Sequence, residues 1–197
     1  MNVYTDPVFL HLLAKMMMEY SLAQLELLVE AGLDVLVIED DIAMDKGPMI
    51  SLEHFKIFIN DYNRQIVERA HQKGLKVVRH SDGNLWSLLD LLLETGYDGI
   101  NPLEPQAGMA MKKVKDYCGD KICLLGNIDC VDLLPRGTTK QVEQAVIQTI
   151  EDGAAGGGLI ICSSNSLHQG VNPENCIAMF KAVRQHGQYE QVENSAE

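Results

Sequence analysis

The chain has 197 residues, 46% hydrophobic and 22% charged, which is enough for one domain with a substantial buried core. Its 16 basic residues against 28 acidic ones give a net charge of −12, which argues against a surface for nucleic acid or anionic membranes. Five cysteines without a CxxC pair, and no apolar run of about 18 residues, predict a reduced, soluble, cytoplasmic protein.

The first predicted elements are helical. Apolar residues recur at helical spacing from residue 10 to residue 29, with Asp6 and Pro7 as the start signal and Gly32 as the C-cap. The run DVLVIED that follows has the composition of a strand buried on both faces. Ser51 then begins a helix that is expected to continue to about Lys73.

Four more apolar runs follow, each with a helical segment after it. They are LKVVRHSDG with LWSLLDLLLETG, YDGINPLEP with MAMKKVKDYCG, KICLLGNIDC with KQVEQAVIQTIEDG, and GGLIICSSNS with a helix from Pro173 to about Arg184. This alternation predicts an α/β fold of consecutive βα units with about five parallel strands. We expect a single domain over residues 1–187 and a disordered tail over 188–197.

Polar residues stand directly after every predicted strand. Because the carboxyl ends of parallel strands face the same way, these side chains should converge on one rim, although solvated loops are polar as well. They are Glu39, Asp40 and Asp41; His80 and Asp82; Asn101 and Glu104; Asn127 and Asp129; Ser163, Ser164 and Asn165.

His80 and Asp82 are two positions apart, so strand geometry points both side chains to the same face. Facing inward, Asp82 can polarise His80 as an acid or base, or the pair can supply two of three ligands for a divalent ion. The alternatives are a hydrogen-bonded core histidine, and a helix cap made by Asp82 or Asn84 with Gly83 in the turn.

The remaining strand-end residues are candidates for substrate contacts. Asp40 and Asp41 are adjacent, so one can face the rim while the other meets solvent, and two prolines stiffen the loop of Glu104. Asparagine offers both a donor and an acceptor for a polar ligand. We assign catalysis to His80, Asp82 and Asp41, and substrate binding to Asp40, Asn101, Glu104, Asn127, Ser164 and Asn165.

From Asp6 to about Arg184 the units resemble the C-terminal portion of the uroporphyrinogen decarboxylase superfamily. The matching segments are AGLDVLVIEDD, HSDGN, GYDGINPLEP, LLGNIDCVDLLPRGTTKQV and GGLIICSSNSLHQGVNPENCIAMFKAV. The superfamily includes the decarboxylase of haem synthesis and methyltransferases that act on methylcobamides or O-methyl compounds. The resemblance implies a TIM-type barrel with its site at the C-terminal rim, and five units would form part of such a barrel.

The sequence departs from the family's site residues in two places. The methyltransferases activate a thiol on zinc through His-x-Cys and a later Cys, whereas this chain has His80-x-Asp82 and, counting back from Pro173, Asn165. The decarboxylase's last-loop histidine also falls at Asn165, and its N-terminal arginines and essential aspartate have no counterpart here. The resemblance thus implies zinc at His80 and Asp82 as the candidate cofactor, with Asn165 a poor ligand.

HSDG, NPLEP, GNID and GT look closer to the methyltransferase branch. The expected function is one-carbon transfer between a small methylated substrate and a corrinoid carried on a partner protein. The alternatives are a decarboxylase acting on a carboxylated tetrapyrrole or smaller acid, and a non-catalytic half-barrel. Five parallel strands leave an open edge, which predicts a homo-oligomer or a partner chain that supplies the first strands of the barrel.

Overall fold

The five apolar runs predicted to be strands all form strands. The structure, a computed structural model, describes residues 2–189. The strands lie parallel in one sheet, so the α/β prediction is confirmed. Their order is β1 (Val35–Glu39), β4 (Lys76–His80), β5 (Gly99–Leu103), β6 (Cys123–Ile128) and β7 (Leu159–Ser163), while β2 (Ala43–Met44) and β3 (Gly47–Pro48) form a small antiparallel pair.

The chain divides into two compact units. Among the described residues, the first comprises 2–101 with Ala107–Met109, and the second comprises Pro102–Gln106 with 110–189. The single domain over residues 1–187 therefore stays a prediction. The predicted disordered tail lies, from residue 190 onward, outside the described residues.

The first unit contains α1 to α5. These helices are α1 (Asn2–Thr5), α2 (Pro7–Glu30), α3 (Leu52–Phe55), α4 (Asp61–Gln72) and α5 (Leu89–Thr95), with a π-helical turn (Lys56–Asn60) before α4 and a 3-10 turn (Trp86–Leu88) before α5. Asp6 begins α2 as predicted, since its carboxylate accepts the Phe9 N–H at 3.0 Å. Ser51 caps α3 in the same way through His54.

The second unit contains α6 (Met111–Cys118), α7 (Leu133–Arg136), α8 (Thr139–Gly153) and α9 (Pro173–His186). Thr138 and Gln141 form a reciprocal capping box at the start of α8. The apolar faces of α8 and α9 pack with the end of β6 around one core. Its buried members are Ile128, Cys130, Leu134, Val142, Val146, Val171, Met179 and Ala182.

Large apolar side chains are exposed on α2 and β1 in the first unit. On α2, Val8, Leu12 and Leu27 are 64–69% exposed, and on β1 Val37 is 52% exposed. Within residues 2–189, no helix combines the length and apolar character needed to cross a membrane. The exposed side chains thus lie on a helix and an edge strand of the sheet.

Candidate functional site

Three neighbouring strands carry polar residues at facing positions. Glu39 of β1 is aligned with His80 of β4, which is aligned with Asn101 of β5. The His80 Nδ1 atom lies 2.7 Å from the Asn101 amide oxygen. Because that oxygen only accepts hydrogen bonds, the contact favours the neutral tautomer that has its proton on Nδ1 and its lone pair on Nε2. His80 is therefore a partly exposed, oriented imidazole.

The three residues predicted to be catalytic lie together. Asp41, His80 and Asp82 each present a ligand atom, and these atoms all lie within 4.8 Å of one another. The His80 Nε2 atom is 3.9 Å from Asp82 Oδ1, and the Asp82 N–H donates to Asp41 Oδ1 at 3.0 Å. Asp41 is exposed, whereas the other two side chains are half-buried. One imidazole and two carboxylates are thus close enough together to bind a single cation.

Asn84, one of the two cap candidates, lies just before the 3-10 turn, whose N-cap residue is Leu85. The Asn84 side-chain oxygen accepts the N–H of Trp86 at 3.2 Å, at the start of the 3-10 turn. Gly83 makes the turn between Asp82 and Asn84 with φ +87°, a conformation that disfavours residues with a side chain. Asp82 is therefore directed to the cluster, and Asn84 to the following helix.

Arg79 is a residue that the sequence analysis did not use. It is 0% exposed, its Nη2 donates to the Asp40 carbonyl oxygen, and the same nitrogen is 3.6 Å from Asp40 Oδ2. Burial raises the pKa of the neighbouring Tyr97, an effect that the positive charge of Arg79 partly opposes. Tyr97 therefore stays neutral, and Asp40 supplies the negative charge near the guanidinium. A charged residue inside the apolar run VVRH was the available signal.

Asn127, in the second unit, uses its amide in backbone contacts. Its Nδ2 donates to the Leu103 carbonyl at 2.7 Å, and its Oδ1 accepts the Met111 N–H at 3.2 Å. A side chain at Gly126 would meet the Leu103 backbone at 2.9 Å. The absence of a side chain therefore lets the Leu103 backbone pack against Gly126. These bonds join the end of β5 to the start of α6, and substrate binding by Asn127 stays a prediction.

Ser164 is fully buried after β7. Its hydroxyl accepts the Cys130 N–H at 3.2 Å. Next to it, Asn165 is half-buried, and its side-chain oxygen accepts the Ser166 N–H at 2.6 Å. Glu104 is half-buried in the loop after β5. Substrate binding by these three residues likewise stays a prediction.

Two other polar residues of the second unit have structural roles. The carboxylate of Asp129 accepts the backbone N–H groups of residues 131, 132 and 133 at 2.6, 3.0 and 3.2 Å, so it organises the start of α7. His168 accepts the Gly170 N–H at Nδ1 and lies 3.0 Å from the Cys130 carbonyl through Nε2. With Nδ1 accepting, Nε2 donates, and the ring braces the loop before α9.

Comparison with known proteins adds a family and a shared fold. A family model for uroporphyrinogen decarboxylase (URO-D) matches residues 1–186. The uroporphyrinogen decarboxylase of Hamiltonella defensa is 28% identical over 187 residues, covering 92% of this chain and 49% of that protein. The methylcobamide:CoM methyltransferase MtbA of Methanosarcina acetivorans is 25% identical over 152 residues, covering 77% of this chain and 43% of that protein.

A solved methyltransferase from Methanosarcina mazei superposes with a TM-score of 0.79 at 21% identity, covering 95% of this chain and 52% of its own. The predicted fold, part of a TIM-type barrel, is thereby confirmed. The chain spans about half the length of the curated relatives that it matches.

Proposed function

The chain belongs to the uroporphyrinogen decarboxylase (URO-D) family, and we propose that it acts within that family as part of a metal-assisted one-carbon transferase. The observation that carries this proposal is the cluster of Asp41, His80 and Asp82, whose ligand atoms lie within 4.8 Å of one another. The likeness to MtbA and to the M. mazei methyltransferase supports a place in the methyltransferase branch of the family.

The donor set fits a divalent metal ion. One imidazole nitrogen with two carboxylate oxygens suits Zn²⁺, Mn²⁺ or Fe²⁺, and is harder than a thiolate set. Histidines that bind metals generally donate their other ring N–H to a fixed acceptor, as His80 does to Asn101. When bound, the ion would supply a Lewis acid that keeps a substrate thiol in its thiolate form.

The chain's own residues then have distinct parts. His80 would hold the ion through Nε2, Asp41 and Asp82 would hold it through carboxylate oxygens, and Asn101 orients the imidazole. The Asp40 side chain is 57% exposed and adjacent to the cluster in the chain, so it can contact a substrate while it stays near the Arg79 guanidinium. The methyl group would come from a corrinoid carried by a partner protein, with a small thiol as acceptor.

Decarboxylation of a carboxylated tetrapyrrole is the second candidate, favoured by the decarboxylase relative that covers 92% of this chain. Against it, Asp41 and Asp82 place two carboxylates at the site. They would repel the acidic side chains of such a substrate unless a cation lies between them.

We also propose a protein partner that covers the free edge of β1 and the apolar surface of α2. β1 is an edge strand, and Val35 and Val37 on it are 43% and 52% exposed. An uncovered edge with exposed apolar side chains is a site for pairing with another chain. All five cysteines are free thiols, which supports placing this assembly in the reducing cytoplasm.

Calorimetric titration of the purified chain with Zn²⁺ and with Mn²⁺ tests the metal site. The wild type should bind one ion, and His80→Ala and Asp82→Ala should weaken binding by more than the about 10- to 100-fold typical of outer contacts. His186→Ala is the matched control, because His186 also lies near a carboxylate, 3.6 Å from Glu143, but outside the cluster. If His80→Ala and Asp82→Ala bound the ion as tightly as His186→Ala does, the site would be refuted.

Two activity assays then separate the candidate reactions, using the chain with its partner where one is found. Demethylation of methylcobalamin in the presence of a small thiol should depend on the metal and on His80. Decarboxylation of uroporphyrinogen without added metal would support the second candidate and overturn the first.

A further inference from the structure

The loop after β1 and the loop after β4 are joined by contacts on both sides of Asp41. Arg79 and His80 are consecutive on β4, so their side chains point to opposite faces of the sheet. His80 faces the cluster, and Arg79 lies buried on the other side with 0% exposure. Its Nη2 donates to the carbonyl oxygen of Asp40, the residue immediately before Asp41.

Two of the three guanidinium nitrogens of Arg79 make no hydrogen bond among the described residues. Its Nε and Nη1 atoms are buried and find no hydrogen-bond partner within residues 2–189. A guanidinium in that position is tolerated only where a specific contact compensates for lost water. The structure shows contacts with two Asp40 oxygens, one from the backbone and one from the carboxylate at 3.6 Å, and an interaction with the neighbouring Tyr97 side chain.

Ser81 makes the corresponding contact after Asp41. Its side chain is 0% exposed, and its hydroxyl oxygen accepts the Ile42 N–H at 3.0 Å. The residues on either side of Asp41 are therefore each held by a buried side chain from the end of β4. Asp41 itself accepts the Asp82 N–H at 3.0 Å.

Further along, the two loops touch through their backbones. The Asn84 N–H donates to the Met44 carbonyl at 3.0 Å. A side chain at Gly83 would meet the Ala43 carbonyl group at 2.9 Å, so no room for one exists between the loops. Contacts thus run along the whole of residues 40–44.

We propose that Arg79 and Ser81 are positioning residues that set the place of the Asp41 carboxylate in the metal cluster. The inference rests on the proposed metal-assisted function. The Asp41 side chain is exposed and accepts the Asp82 N–H, so its place depends on that bond and on the backbone of residues 40–42. By holding Asp40 and Ile42, Arg79 and Ser81 would keep the carboxylate within reach of an ion that His80 and Asp82 also bind.

A double-mutant cycle distinguishes positioning from a general role in folding. Arg79→Met should weaken Zn²⁺ binding about 10-fold or more, the range for outer contacts. In that background Asp41→Ala should cost little further affinity, because the carboxylate is already displaced, while Asp82→Ala should keep its full effect. Arg79→Lys should restore part of the affinity. Arg69→Met is the matched control, since Arg69 pairs with Glu26 away from the cluster.

Hydrogen–deuterium exchange measured without metal gives an independent test. Arg79→Met and Ser81→Ala should each speed exchange in peptides covering residues 40–44 and leave those covering residues 123–128 unchanged. Unchanged exchange at residues 40–44 would overturn the proposal, as would an undiminished Asp41→Ala penalty in Arg79→Met. If the wild type bound no metal, the proposed function would fail, while exchange would still show whether the two side chains hold the loop. Should Arg79→Met not fold, Arg79→Lys and Ser81→Ala carry both measurements.

Discussion

The imidazole of His80 is held by Asn101, whose amide oxygen lies 2.7 Å from Nδ1 at facing positions of two parallel strands. The bond selects the tautomer that leaves Nε2 able to bind a metal ion. A residue of β5 therefore decides which nitrogen of a β4 residue is available to the cluster.

Replacing Asn101 tests that relationship. Asn101→Ala should lower Zn²⁺ affinity about 10- to 100-fold, because the ring loses the acceptor that orients it. Asn101→Asp keeps an acceptor oxygen in place and should restore most of the affinity. Calorimetric titration gives the constants, and thermal unfolding checks that each variant is folded. Equal loss in both variants would mean that the amide oxygen does not orient the ring.

Asp129 and Asp82 both follow a strand, but their replacement should change different quantities: stability for Asp129 and metal affinity for Asp82. Asp129→Ala removes the acceptor of backbone N–H groups before α7 and should cost about 1 kcal/mol of unfolding free energy, without changing metal affinity. Asp82→Ala should lower metal affinity. Urea unfolding and metal titration of the same two variants measure both quantities. Loss of metal binding in Asp129→Ala would contradict the structural role assigned to it.

Local signals predicted the elements well because caps act over three or four residues. Asp6 and Ser51 each accept an N–H at the start of the helix that the sequence assigned to them. The interruption of the predicted helix from Ser51 by a π-helical turn was not predictable in this way. Asn60, at the end of that turn, is buried and bonded to Thr95, 35 residues later.

The site was predictable only in part, for the same reason. His80 and Asp82 stand out because they end an apolar run and share a face. The role of Arg79 depends on Asp40, 39 residues away, and no spacing in the sequence reveals that contact. Ser81 and Ser164 read as polar loop residues, yet each is fully buried and accepts a backbone N–H from a preceding loop.

Asp98 should make stability depend on pH. Although burial raises the pKa of Asp98, hydrogen bonds from Lys76, the Val77 N–H and His71 outweigh it and hold the pKa below its ordinary value of 3.8. The stabilisation is therefore complete above pH 3.8 and is lost as pH falls through the folded-state pKa. Asp98→Asn should cost about 1 kcal/mol at neutral pH, and the difference from the wild type should vanish in acid.

Urea unfolding of both proteins from pH 7 down to pH 2 measures that difference. Asp116→Asn is the control, because Asp116 pairs with Lys112 on the exposed face of α6 and should show a smaller effect at neutral pH. A constant difference between Asp98→Asn and the wild type across the whole range would show that the charge of Asp98 contributes nothing.

The exposed edge of β1 should control association. In light scattering coupled to size exclusion, the wild-type chain should have a mass above its 21.9 kDa, either alone or with a copurifying partner. Val37→Lys places a charge on the edge strand and should return the mass toward that of one chain, because a lysine there opposes strand pairing. Ile177→Lys is the matched control, since Ile177 is also 52% exposed but lies on α9. A monomeric wild type that binds no partner would refute the assembly, and equal dissociation by both variants would place the interface elsewhere.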